Sequence, residues 1–326
     1  MEKRILLDHG SGGLLSAQLI EECILPVFPS KALHALMDGA VVENQQKPLV
    51  ISTDSFVVSP WRFSGGDIGK LCVCGTVNDV LMSGGIPQYL TLSLILEEGL
   101  RMTDLQEILA SIGQTAQQAG VAVVCGDTKV VEHGKGDQIY INTCGIGFQQ
   151  RSFAYHYQEG DRVVVSGSIG RHGAAVYMAR EELGLQGDIP SDCALLLQEA
   201  KAAMGLPGTR ILRDPTRGGL ATTCIELIEH TDWGMELYED QISVDADVKA
   251  LCQLLGFDPL YLACEGRMIA IVSEADSEEL VRQLGGDARI IGEITSSHPG
   301  TLLMRTRLHT QRWLRKLSGQ PLPRIC

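Results

Sequence analysis

Four aspartates carry the chemistry that is easiest to read in this chain: Asp54, Asp79, Asp127 and Asp214. Asp54 follows the apolar run 49–53 and Asp127 the run 121–125, both of which read as strands. Asp79 lies in "GTVNDV", toward the end of a helical segment, and Asp214 sits in the turn "RDPTRGG". Taken singly, each is a loop cap or turn former as readily as a ligand. As a set delivered to one place they would repel one another. A cation relieves that repulsion, and hard Mg²⁺ suits oxygen ligands. Lys129, two residues beyond Asp127, is placed to meet phosphate oxygens or to pair with Asp127 itself.

Other residues extend the set. The loop Gly10, Ser11, Gly12, Gly13 offers backbone N–H groups ahead of a helix-like segment. Such loops wrap phosphates. The motif is neither GxGxxG nor the P-loop, and a flexible linker has the same composition. Glu265 in "ACEGRMIAIV" stands at the mouth of a strand between Cys264 and Gly266. Semi-apolar company raises a carboxyl's pKa and suits a base, whereas a solvated strand end does not. His9 and His172 are further acid–base candidates. Cys326 closes the sequence after Pro321 and Pro323, which favour an extended approach. From Ser318 the tail spans roughly 30 Å when extended. Its thiol can enter a pocket or a partner, or it can belong to a frayed end.

The elements that must position these residues follow from hydrophobic spacing. The pattern predicts strands over 49–58, 89–98, 121–128 and 139–148, with helices over 67–83 and 103–119, the latter capped by Thr103. A shorter helix-like segment spans 14–24. In the second half, strands are expected at 162–169, "MELYE", "MIAIVS" and "RIIGEI". Helices are expected at 173–183, 192–204, within 213–230, near 246–255 and over 276–284. Runs of strands that do not strictly alternate with helices give two α+β domains. The boundaries are 1–152 and 153–317, followed by a mobile tail, 318–326.

Composition agrees. The chain has 326 residues, 44% of them hydrophobic and 21% charged, enough for packed aliphatic cores. A net charge of −13 argues against broad nucleic-acid or anionic-membrane binding but not against a Mg²⁺-bridged nucleotide. The ten cysteines include no CxxC pair, and most sit in apolar runs as small hydrophobes. There is no signal-like start and no run long enough to span a membrane, so a reduced cytoplasmic protein is expected.

The order "HGSGG", "STDS", "GGDIGKL", "GTVNDV", "ILEEGL", "GDTKVV", "DPTRGG", "EGRMIAIV" and a final "PRIC" closely resembles the hydrogenase maturation factor HypE family, along the whole length. That family belongs with aminoimidazole ribonucleotide synthetase, selenophosphate synthetase and thiamine-phosphate kinase. The resemblance implies a two-domain α+β fold of the aminoimidazole ribonucleotide synthetase type. In it the first domain's sheet forms a homodimer, and ATP binds in the cleft toward the second domain. It implies that Cys326 is carbamoylated by a HypF-like partner and that ATP drives dehydration of this group to a thiocyanate. The cyanide then passes to iron on a HypC–HypD-like complex, for the nickel–iron hydrogenase centre. It further implies that Asp54, Asp79, Asp127 and Asp214 hold Mg²⁺, and that Lys129 contacts phosphate. Asp67, Asn78 and Thr128 join the loop 10–13 around ATP. Glu265 is the chosen base. The alternatives are a superfamily kinase or synthetase acting on a free small molecule, and a non-enzymatic thiol carrier.

Overall fold

The computed structural model describes residues 4–6, 9, 18–29, 47–154, 156–180, 187–317, 322 and 324–326. Gly10, Ser11, Gly12 and Gly13, residues 14–17 of the first helix-like segment, and most of the tail lie outside these.

The first domain is a sheet with helices on one face. In chain order it contains β1 (Leu49–Phe56), a small hairpin β2 (Arg62–Phe63) and β3 (Gly66–Asp67), and α1 (Ile68–Met82). Then come β4 (Gly85–Glu97), α2 (Met102–Ala119), β5 (Ala122–Val131) and β6 (Ile139–Gln149). The four-stranded sheet has the order β1-β6-β4-β5, antiparallel except for the β4–β5 pair. Asp67 starts α1 because its carboxylate accepts the Gly69 and Lys70 N–H groups, at 2.7 and 3.0 Å, an N-cap of ordinary type. A helix that is apolar all round must be buried all round. In α1 only Lys70 and Asp79 escape full burial. Gly147 lets α1 lie close on β6, since a Cβ there would stand 2.6 Å from the Val80 side chain. The N-cap of α2 falls two residues before the expected Thr103. Arg101 is its extended N-cap, and the Arg101 guanidinium grips Asp104 at 2.7 and 2.8 Å, anchoring the first turn without a hydroxyl cap.

The second domain runs β7 (Arg162–Val165), α3 (Arg171–Met178), α4 (Leu197–Gly205), β8 (Thr209–Arg213) and α5 (Gly219–Ile228). It continues with β9 (Gly234–Tyr238), α6 (Ala246–Leu255), β10 (Ile269–Val272), α7 (Glu274–Leu284), β11 (Arg289–Thr295), β12 (Leu302–Arg305) and β13 (Gln311–Leu314). These build a seven-stranded sheet of order β13-β12-β9-β11-β7-β10-β8. The helix expected from Asp192 starts only at Leu197, because Asp192 is engaged elsewhere: its carboxylate accepts the Glu265 N–H at 3.1 Å.

The two sheets differ in how they are covered. Alternate residues of β7 and β10 serve two cores. Val163, Val165, Ile269 and Ile271 pack into one under α5, whereas Val164, Ala270 and Val272 join the core of the first domain. A single apolar core therefore crosses the domain boundary. Asn78 of α1 ties the same seam, donating to the Ala194 carbonyl at 3.0 Å and accepting from the Leu196 N–H at 2.9 Å. The first sheet, by contrast, leaves one face open. Leu49 and Ile51 of β1 and Ile95 of β4 are 54%, 62% and 42% exposed.

Candidate functional site

A cavity of about 340 Å³ opens where β1, the end of α1 and the β8–α5 turn meet. Its walls include Asp54, Asp79, Asp214, Arg217, Glu265 and Cys326. Sheet parity supplies the first and holds the second. Asp54 lies inside β1 rather than beyond it, on the side facing α1 together with Ser52. The Ser52 hydroxyl donates to Asp79 at 2.7 Å, holding the carboxylate that the buried helix delivers. Asp214 comes from the turn after β8. That turn is tied to the approach to β10, since the Cys264 N–H donates to the Pro215 carbonyl at 3.0 Å. Asp214 and Glu265 are thereby brought to one wall. Gly266 allows the packing behind it, because a Cβ there would fall 1.8 Å from the Asp192 carbonyl oxygen.

The electrostatics are those of acids held too close in a dry place. Burial, then the neighbouring Asp79, pushes Asp214 up to about 7. Asp79 is raised chiefly by burial, with the Ser52 hydrogen bond opposing. Glu265 is raised well above the carboxylate range by burial, and by Cys193, Asp214, Asp192 and Asp54 around it. Its Oε1 is buried and accepts no hydrogen bond, as does Oδ2 of Asp192 behind it. Buried acceptors are normally satisfied, so an open one facing a cavity is available to a substrate donor.

The thiol enters this cavity from the chain's own terminus. Sequence reasoning expects a mobile end, yet Leu322, Ile325 and Cys326 are buried here. The Val57 N–H donates to the Cys326 carbonyl at 3.1 Å and the Ser59 N–H to the Arg324 carbonyl at 3.3 Å. Arg324 donates in return to the Val57 carbonyl at 3.0 Å and pairs with Asp137 at 2.6 Å. Cys326 Sγ stands 3.9 Å from the Arg217 guanidinium, which is also 3.9 Å from Asp54. Burial, with Glu265 adding to it, raises the thiol to about 12, Arg217 opposing. Arg217 was not singled out in the sequence: one Arg in a glycine-rich turn carries no signal until the tail is seen beside it.

The remaining candidates lie elsewhere. β4 and β5 pair Leu90 with Val123 and Thr91 with Cys125, so Val124 is an extra residue. This bulge reverses which residues face outward. Asp127 and Lys129 consequently point from the open face of the sheet, joined to each other at 2.7 and 2.8 Å. The Lys129 hydrogen bond lowers Asp127, the reverse of Asp214. β5 is the far edge strand from β1, roughly 14 Å away across three strand spacings. Within one chain, then, Asp54, Asp79 and Asp214 come together, and Asp127, Thr128 and Lys129 do not join them. Asp67 and Asn78 spend their side chains on the cap and on the domain seam. His172 is fully buried beside the tail, and His9 bonds locally with Leu6. Among the described residues, no three His, Cys, Asp or Glu side chains close into a metal cage, and no helix is long and apolar enough to cross a membrane.

Known proteins share this construction. The family model of AIR synthase related protein, N-terminal domain, matches residues 36–149, and that of the C-terminal domain matches residues 158–304. The carbamoyl dehydratase HypE of Cupriavidus necator is 44% identical, covering 99% of this chain and 95% of its own. A crystal structure of hydrogenase maturation protein HypE in complex with ATP is similar at a TM-score of 0.93 and 41% identity, covering 98% of this chain and 99% of that one. The crystal structure of a HypE–HypF complex matches at a TM-score of 0.80 and 40% identity, covering 92% of this chain and 99% of that one.

Proposed function

Because the chain belongs to the AIR synthase related family and, within it, to the HypE carbamoyl dehydratases, we propose that Cys326 carries the substrate into the carboxylate-lined cavity. The reaction is the ATP-dependent dehydration of an S-carbamoyl group to a thiocyanate, a step in hydrogenase maturation. The observation that carries this reading is the thiol itself, seated among Glu265, Arg217 and Asp54.

ATP supplies the leaving group, since a phosphorylated amide oxygen departs as phosphate where the bare oxygen would not. The chain positions and deprotonates. A carbamoyl group on Cys326 Sγ places its oxygen and nitrogen two bonds from a sulfur already beside Arg217. The guanidinium fork suits that oxygen and the phosphoryl group it receives. Both protons must leave the amide nitrogen: Glu265, in its ionised form, takes one, its raised pKa making it the stronger base, and the departing phosphate carries away the other. Exclusion of water by the docked tail protects the activated group from hydrolysis.

Mg²⁺ fits the acidic wall. The donors are all oxygen, and Mg²⁺ is usually held by one or two carboxylates plus nucleotide phosphates rather than by an all-protein cage. Asp54, Asp79 and Asp214 would hold it, and a cation there relieves the repulsion that raises Asp214. Asp127, Thr128 and Lys129 reach phosphate in this reading only from a second copy, across a homodimer formed on the open sheet face around Leu49, Ile51 and Ile95. Gly10, Ser11, Gly12 and Gly13 would close over the nucleotide, with Asp67 and Asn78 shaping the walls. The partners are a HypF-like carbamoyltransferase and a HypC–HypD-like acceptor, and the setting is the cytoplasm.

Mass spectrometry of the C-terminal peptide tests this. Incubation with the carbamoyltransferase, carbamoyl phosphate and ATP should add a carbamoyl group to Cys326 and then remove one water. Absence of any adduct would favour a free small-molecule substrate. Turnover undiminished in Asp79→Asn would favour a passive carrier.

A further inference from the structure

We infer that His172 is a positioning residue for Cys326: its ring, with Arg180, latches the tail and sets the fraction of time the thiol spends inside the cavity. His172 stands in the first turn of α3 and is fully buried. Its Nε2 lies 2.6 Å from the Ile325 carbonyl, the residue before the thiol. A carbonyl only accepts, so Nε2 carries the proton. Nδ1, 2.8 Å from the Ser191 hydroxyl, is then the acceptor. Ser191 can donate to it because its oxygen is free to accept the Cys193 N–H at 3.0 Å. Every group is satisfied by one tautomer, and that tautomer presents a single donor to the tail. The edge of Phe63 against the ring, 5.2 Å between centroids, fixes its plane.

A buried histidine with two partners is often plain core. Here one partner is a terminal segment 153 residues away in sequence, held to the first domain by a few hydrogen bonds. Arg180 adds the outer hold, donating to the Ser59 carbonyl and the Arg324 carbonyl, each at 2.9 Å. His172, with no exposed surface, is the deeper of these two holds, and it grips the residue next to the thiol. The docked thiol is too enclosed to meet another protein, so modification by a partner and dehydration need opposite tail positions. The second half of that statement rests on the proposed function; the latch itself does not.

The experiment uses the full chain. His172→Phe keeps a ring against Phe63 and deletes the donor, whereas His172→Gln keeps an N–H. Alkylation of Cys326 by iodoacetamide is followed by peptide mass spectrometry, with half-buried Cys144 as internal reference. Loss of one hydrogen bond should raise the Cys326 rate roughly three- to tenfold relative to Cys144 in the Phe variant, and less in the Gln variant. A folded Phe variant with an unchanged ratio overturns the latch. If the Phe variant does not fold, Arg180→Gln, at the half-buried rim, must raise the same ratio, and its failure to do so overturns the latch. These measurements need neither ATP nor a carbamoyl donor. A second arm reads dehydration of chains carbamoylated beforehand, which should slow in His172→Phe only by the share of docked chains lost, while carbamoylation does not slow. Faster alkylation with no dehydration of carbamoylated chains in either wild type or variant would leave the latch standing and count against the proposed reaction.

Discussion

Asp214 and Asp127 are the same residue type, one just past the end of β8 and the other within β5, and the fold drives them in opposite directions. Asp214 is enclosed with Asp79, Asp54 and Glu265 and rises to about 7. Asp127 stands on the open sheet face with a lysine on its carboxylate and is lowered. The first acid is poised to receive a cation, and the second already has one. Arg217, 3.9 Å from Asp54, offsets only part of the crowding in the first cluster, which a cation would relieve. An acid–lysine pair in solvent is complete by itself and contributes elsewhere only by being carried there.

The largest expected effect tests the enclosed side. Glu265→Gln keeps the shape and removes the base, so dehydration of carbamoylated Cys326 should fall by about 10²- to 10⁴-fold in single-turnover assays. A loss of less than tenfold would move the base to another group. The next breaks the separation itself. Lys129→Ala and Asp79→Asn chains should each turn over poorly, and mixing them should restore activity if the pair serves a neighbouring copy's cavity. No recovery in mixed dimers would confine Lys129 to its own surface.

A smaller effect appears in stability. Asp214 titrates near 7 when folded but near 3.9 when unfolded, so the folded chain holds more protons across that window. Stability therefore falls as pH rises from about 4 to about 7, and the cost is present in full above 7. Asp214→Asn should gain about 1–2 kcal/mol at pH 8 in urea melts and little at pH 4. His172 has the opposite slope, since burial lowers it to about 4 from 6.5 and stability is lost as pH falls through that range. Removing Asp214 should thus leave the acid-side loss more visible. The smallest effect belongs to the open pair: Lys129→Gln should change stability by no more than about 0.5 kcal/mol, because both side chains are more than half exposed.

Much of this was legible in the sequence. The two α+β halves and most elements of the first domain follow from apolar spacing. Helix α1 was recognisable from residues 68, 71, 73, 77, 80 and 81, although a helix buried on all sides has no face for periodicity to identify. β8, β12 and β13 lie outside the expected strands; each is only four or five residues long, and β13 is a polar edge strand with three of its four residues exposed. Of the four aspartates expected to act as a set, Asp54, Asp79 and Asp214 line one cavity. The displacement of Asp127 was not legible, because it depends on one extra residue at Val124 and a bulge leaves no mark in composition. Arg217 and the His172 contact were invisible for a different reason: both acquire meaning only from where the last residues of the chain come to rest.

The core that runs unbroken from α1 into the second domain decides how this molecule can open. Parting the cleft walls would bring residues such as Leu71, Val77 and Leu212 into water together. Releasing the tail breaks only a handful of hydrogen bonds and frees two apolar side chains. The cleft is built as a rigid mould with a removable plug, and exchange of the plug should need less disruption than hinge motion. Native-state hydrogen exchange would register the difference: the Val57 and Ser59 amides, paired only to the tail, should exchange long before those of α1.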